Sequence, residues 1–180
     1  GLVLADGWPV AAAATRLGRV AVPRVTGADL LPALLARAAA TGLTVALVGG
    51  REGAAALAAA RAEDDLPGLR VVLAEGPRFP ERPGAPDAER LAAMLPQGVD
   101  VVVLGLGAPK QELLVAAGMR AGVLPPAAYL CFGAAIDFVA GVVERAPQRW
   151  RRWHLEWAHR VVQEPRRLAG RYLVAAPRFA

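Results

Sequence analysis

The chain has 180 residues, 55% hydrophobic and 21% charged, a balance that excludes disorder and is long enough for a domain with its own core. It contains no Ser and no Asn, a single cysteine (Cys131) and two histidines, His154 and His159. That inventory excludes a serine-based triad, an intramolecular disulfide and a cysteine-rich zinc site. The formal net charge is +5, but Glu144–Ala180 carries nine Arg against three Glu while the remainder is close to neutral, so the basic character belongs to the tail. The abundance of Ala and of Arg over Lys reflects base composition more than function. No apolar run reaches the roughly 18 residues of a membrane span.

In chain order, Gly1–Ala5 reads as the end of a strand, too short and insufficiently basic for a signal peptide. The Asp6-Gly7 that follows suits two roles. Asp is a favoured N-cap ahead of Trp8-Pro9, and a carboxylate at a strand end can act as a general base. Arg24 precedes a helix that the sequence predicts to begin at Thr26, with Asp29 three residues on. Its apolar face is Leu30, Leu31, Leu34, Leu35 and Ala38, and Gly42 stops it. A guanidinium there can grip a diphosphate with two bonds or be a plain surface charge.

Thr44–Val48 reads as a strand ending in Gly49-Gly50, then a helix over 52–62, a strand over Leu69–Leu73, and a Pro- and Gly-rich loop over 76–86. Asp87–Leu95 is a predicted helix and Val101–Leu104 a continuous apolar strand. Gly105–Pro109 is a turn opening a helix at Lys110, and Ala127–Phe132 is a last strand before a helix from Ala134. Apolar strands without alternation, joined by helices, predict an α/β fold: a Rossmann-like, mostly parallel sheet flanked by helices. Ligands of such sheets bind beyond the carboxyl ends of the strands, here Asp6-Gly7, Gly49-Gly50, Gly105–Gln111 and Gly133.

The turn Gly105-Leu-Gly107-Ala-Pro109-Lys110-Gln111 suits a phosphate held by main-chain N–H groups at a helix start. It also suits an ordinary strand–helix connection with a solvated Lys. Lys110 is the only lysine of the chain and stands where a dinucleotide fingerprint would have its third glycine. Asp137, on the helix after Gly133, is a candidate ligand or a structural cap. Cys131, in an apolar strand, reads as an inert thiol.

From about residue 144 the pattern changes to a C-terminal helical appendage, which divides the chain into a Rossmann-like α/β domain over 1–143 and an Arg/Trp-rich unit over 144–180. Pro147 and Pro165 open helical stretches, and Trp150, Trp153 and Trp157 are spaced to share one face. Arg with Trp fits an anionic lipid surface, fits single-stranded nucleic acid, and also fits a helical pair packed by its Trp face.

Taken together and in order, Ala5-Asp6-Gly7, Arg24–Gly27, Val48–Gly50, Gly105–Glu112 (GLGAPKQE), Gly133–Gly141 and Arg145–Pro147 form a recognisable set. They continue with Leu155–Trp157, Arg160, Glu164-Pro165, Arg167, Arg171-Tyr172 and Pro177–Phe179. The whole set resembles the WecG/TagA/CpsF family of bacterial glycosyltransferases over essentially the whole chain.

The resemblance implies an inverting, metal-independent transfer without a cofactor. Its donor is a UDP-sugar, of N-acetylmannosamine, uronic acid or hexose type, and its acceptor a polyprenyl-diphosphate-linked saccharide. The products feed cell-surface polysaccharide or wall teichoic acid. It implies Asp6 as base, Arg24 and Gln111 at substrate or phosphate, and Arg160, Arg167 and Arg171 completing the site and touching the membrane. Gly170 stands where a third Arg of that group is expected, with Arg171 adjacent. His154 and His159 replace commoner Gly and Tyr and are read as structural.

Placement is then bacterial and cytoplasmic, peripheral at the inner face of the membrane, with no nucleic-acid partner. Family members carry a further strand and a Thr upstream, so a preceding segment is expected, and apolar surface beside it would favour an oligomer.

Two other readings stay open on the residues alone. A Rossmann-type oxidoreductase calls for an acid about 20 residues after its glycine turn, and Pro125–Tyr129 holds none. A non-catalytic basic module would bind a membrane or nucleic acid through the tail.

Overall fold

The fold is described from a computed structural model, which covers residues 4–6, 8–147, 149–150, 153 and 156–163; the side chains of Trp8, Pro9, Trp157, Arg160 and Gln163 lie outside that description. The chain divides into two compact units, Gly1–Val143 and Glu144–Ala180.

The first unit is built on four parallel strands, β1 (Thr44–Gly49), β2 (Arg70–Glu75), β3 (Val101–Gly105) and β4 (Ala128–Cys131), in the order β2-β1-β3-β4. The helices of this unit are α1 (Trp8–Gly18), α2 (Gly27–Thr41), α3 (Ala54–Asp65), α4 (Ala85–Met94), α5 (Lys110–Ala121) and α6 (Ala135–Val139). The predicted α/β class with a Rossmann-like sheet is what forms.

The two central strands are apolar throughout because both their faces are covered. Val45, Leu47 and Val103 point to one side, where they pack with Leu31, Leu35, Ala58 and Ile136 of α2, α3 and α6. Ala46, Val48, Val102 and Leu104 point to the other, against Leu91 of α4 and Leu114 of α5. On α3 the buried residues are Ala54, Ala55, Ala58, Ala59 and Ala62. With only methyl groups on that face, the helix lies close on the sheet.

Local chemistry sets the helix ends. Thr26 caps α2: its Oγ1 accepts from Asp29 N at 3.2 Å and donates to Asp29 Oδ2 at 2.7 Å. Gly42, at φ 72°, ends the same helix with a left-handed residue. Several predicted boundaries move. The helix expected over 52–62 runs from Ala54 to Asp65, because Arg51–Gly53 forms the turn before it. The helix expected over Asp87–Leu95 starts at Ala85, since Gly84 N donates to Asp87 Oδ2 at 2.9 Å and Pro86 is accepted in a first turn. Of the strand end expected over Gly1–Ala5, the described residues Leu4 and Ala5 are irregular, and Ala5 O accepts from Val25 N at 3.0 Å.

At the amino-terminal edge of the sheet, Asp100 joins the first residues of two strands. Its Oδ2 accepts from Thr44 N and Thr44 Oγ1, both at 2.8 Å. On α1, Val10, Leu17 and the following Val20 are exposed.

In the second unit, a helix α7 spans Glu156–Gln163, and Arg145 Nε contacts Glu156 Oε1 at 3.3 Å. Trp150 meets His159 edge-on at 5.6 Å between ring centroids, and Trp153 is exposed. Among the described residues, no helix is long and apolar enough to cross a membrane.

Candidate active site

In the strand order β2-β1-β3-β4, the connection after β1 goes to one side and that after β3 to the other. The crevice of such a sheet lies between those two strands, beyond their carboxyl ends. Here Gly49 of β1 pairs in register with Gly105 of β3, and Gly50 N donates to Gly105 O at 3.0 Å. The two glycine turns singled out in the sequence are therefore one structure, facing each other at the switch point.

Their glycines divide into two kinds. A Cβ on Gly49 would lie 2.9 Å from Gly105 C, and one on Gly105 would lie 2.9 Å from Ile136 Cδ1 and 3.0 Å from Gly133 O. These positions are closed by the protein itself. Gly107 and Gly133 differ, because a Cβ on either would meet nothing within 4 Å. The open part of the rim is thus the turn at Gly107 and the turn at Gly133, which leads from β4 into α6.

Two buried polar side chains tie the turns together. Asp137, 4% exposed, accepts the main-chain N–H of Arg51 at Oδ1, at 2.7 Å. Gln111, 3% exposed, accepts Gly133 N at 3.2 Å on Oε1 and donates from Nε2 to Glu112 Oε1 at 2.9 Å. Both were candidates for touching substrate. Their described polar contacts are to the protein, and they hold the β1–α3, β3–α5 and β4–α6 turns in one arrangement. Gln111 N is also committed, to Gly107 O at 3.2 Å.

Pro109 precedes α5, and its carbonyl accepts from Leu113 N at 3.0 Å. Lys110 begins that helix, and its ammonium reaches sideways to the β2–α4 loop. Nζ lies 2.7 Å from Glu81 Oε1 and 3.3 Å from Phe79 O.

Asp6 and Arg24 come to the rim by a different route. The bond from Val25 N to Ala5 O sets the segment holding Asp6 beside the segment holding Arg24. Two residues after Val25, Gly27 opens α2 directly against β4's end: a Cβ on Gly27 would lie 2.9 Å from Phe132 O. Phe132 precedes Gly133, so the candidate base, the candidate guanidinium and the open turn share one end of the sheet. Asp6 is exposed and Arg24 half-buried, and both have partners within the protein.

Cys131 closes β4. Burial and the nearby Glu112 charge push its thiol up to about 12, which keeps it protonated and unreactive at neutral pH. Among the described residues, no three or more His, Cys, Asp or Glu side chains are grouped to hold a metal ion. Arg160 stands on α7 with its side chain outside the described residues, and Arg167 and Arg171 lie outside them altogether.

Sequence reasoning left two participants off its site, Glu81 and the main chain of Arg51, whereas it placed Gly133 among the strand ends where a ligand binds. Gly133 was legible as a strand end, since it follows an apolar run. Nothing in the Pro-rich loop distinguishes Glu81, and a main-chain donor has no residue signature.

The chain is thus a Rossmann-like α/β protein with two opposed glycine turns at its switch point, the place where proteins of this class bind ligands. The match to the Glycosyl transferase WecG/TagA/CpsF family extends over residues 1–180, and the chain belongs to that family. The class of activity is glycosyl transfer, in the making of cell-surface polysaccharide, which sets the oxidoreductase reading aside.

Proposed function

We propose that this protein transfers a sugar from a UDP-sugar donor to a polyprenyl-diphosphate-linked saccharide, with inversion and without a divalent metal, at the inner face of the bacterial membrane. One observation supports it most: the rim between β1 and β3 is walled by glycines packed on one another and opens at Gly107 and Gly133. Such a rim admits a diphosphate close to the main chain.

Asp6 takes the proton of the acceptor hydroxyl. The hydroxyl oxygen forms its bond to the anomeric carbon on the face opposite the donor diphosphate, and the bond from that carbon to the diphosphate oxygen breaks. UDP leaves with the electron pair. Its charge is met by the amino-terminal ends of α3 and α5 and by Arg24. The nine Arg of Glu144–Ala180 bring the enzyme to anionic lipid, where the acceptor resides.

The test is a donor screen. The protein is incubated with individual UDP-sugars and a short-chain lipid-diphosphate sugar, and product is detected by mass. Product with one donor class in the presence of a metal chelator is expected. Calorimetry showing no association with UDP, together with no product from any donor, would end this reading.

A further inference from the structure

We propose that Lys110 is a positioning residue of the donor site: its ammonium clamps the β2–α4 loop across the end of β1, and the loop so held is the wall against which the donor nucleotide seats. The proposal rests on the donor reading above and assigns Lys110 a task other than gripping phosphate.

Sheet order makes the geometry informative. Glu81 and Phe79 belong to the loop that follows β2, while Lys110 opens the helix that follows β3. Strand β1 lies between those two. Neighbouring strands are about 4.8 Å apart, so the contact bridges roughly 10 Å of sheet edge and passes over the carboxyl end of β1 on the α4–α5 side. That is one flank of the switch-point crevice.

The loop is fixed at several points. Phe79, 7% exposed, is buried in the core shared by α4 and α5. Arg90 of α4 sets its guanidinium 5.6 Å from the Phe79 ring centroid and donates from Nη1 to Arg78 O at 3.2 Å. At its start the loop runs beside the first glycine turn, where a Cβ on Gly76 would lie 3.7 Å from Gly49 O. Lys110 supplies the remaining tie, to α5.

The ammonium has three donors. One goes to a main-chain carbonyl that the buried Phe79 ring holds in place, and another to the Glu81 carboxylate. The Lys110 side chain is 19% exposed and that of Glu81 86%. A pair so open to water adds little to stability. Its effect is on where the loop sits, and a wall displaced by about an ångström can cost an enzyme up to roughly a hundredfold.

The experiment uses the whole chain with Lys110→Met, Lys110→Arg and Glu81→Gln. Donor KM and kcat are measured at saturating acceptor, and amide hydrogen exchange is followed over 76–84. Lys110→Met is expected to raise donor KM about tenfold with kcat within about twofold, and Glu81→Gln to raise it about threefold because the Phe79 carbonyl remains. Lys110→Arg recovers most of the loss, and the loop amides exchange faster in Lys110→Met with or without donor.

An unchanged donor KM in Lys110→Met overturns the proposal, and so does unchanged exchange of the loop. A lowered donor KM in Glu81→Gln overturns it too, since that is the behaviour of a carboxylate competing with phosphate for a ligand lysine. Should Lys110→Met fail to fold, Glu81→Gln, altered at an exposed side chain, decides the matter. A wild-type protein that accepts no UDP-sugar defeats the donor reading instead, and the exchange data still judge the clamp.

Discussion

Asp137 Oδ1 accepts the main-chain N–H of Arg51 at 2.7 Å, joining helix α6 to the turn after β1 across 86 residues of sequence. Asp137 is 4% exposed, so the bond is largely withdrawn from solvent. It fixes the direction in which the chain leaves Gly50 and therefore the shape of the rim.

Asp137→Ala strands the Arg51 donor and is expected to lower unfolding free energy by about 1–3 kcal/mol. Asp137→Asn, which retains an acceptor, loses less. Denaturant titration checks the order, and UDP calorimetry on the folded fraction is expected to show weaker binding for both. Equal affinity in Asp137→Ala would disconnect this bond from the rim.

Glycine substitutions separate the closed part of the rim from the open part. Gly105→Ala drives a methyl to 2.9 Å from Ile136 Cδ1 and 3.1 Å from Gly50 N. Overpacking of that kind costs about 1–3 kcal/mol, seen as a lower melting temperature. Gly107→Ala meets no atom within 4 Å and bears only the strain of φ +83°, about 1–2 kcal/mol. Its larger effect is expected in UDP affinity, because the methyl points into the open rim.

Asp6→Asn tests the base. The side chain is exposed, so melting temperature and UDP affinity are expected to stay near wild type, while transfer falls about a hundredfold or more. Turnover near the wild-type rate in this variant would remove Asp6 from the chemistry.

Asp100 gives a pH prediction away from the site. The two hydrogen bonds from Thr44 hold its carboxyl below the ordinary value of 3.8, with a smaller contribution from the Arg70 charge. A depressed folded value means the stabilisation is fully present above pH 3.8 and fades as pH falls through the folded value. Asp100→Asn is therefore expected to be less stable than wild type at neutral pH, with the gap closing in acid. Thermal melts from pH 7 down to about 2.5 follow it; a gap that widens in acid contradicts the assignment.

The amino-acid order alone determined the fold class, the alternation of helix and strand and the two glycine turns. Each of these is written locally: continuous apolar runs at Thr44–Val48 and Val101–Leu104 have no stable home except a sheet covered on both faces. Thr26 with Asp29 and Gly42 marked the ends of α2 for the same local reason. The acid at Asp6 was visible as a residue after an expected strand end, but its segment's pairing with that of Arg24 was not, because the bond that joins them crosses a whole helix.

Only the tertiary structure decided what Gln111, Asp137 and Lys110 touch. Their partners, Gly133, Arg51 and Glu81, lie on turns that follow other strands, and strand order sets which turns meet. A polar side chain in a sequence carries its capacity to donate or accept. For Gln111 and Asp137, which group satisfies it is fixed when burial removes water as an alternative, and that happens only once the sheet has assembled.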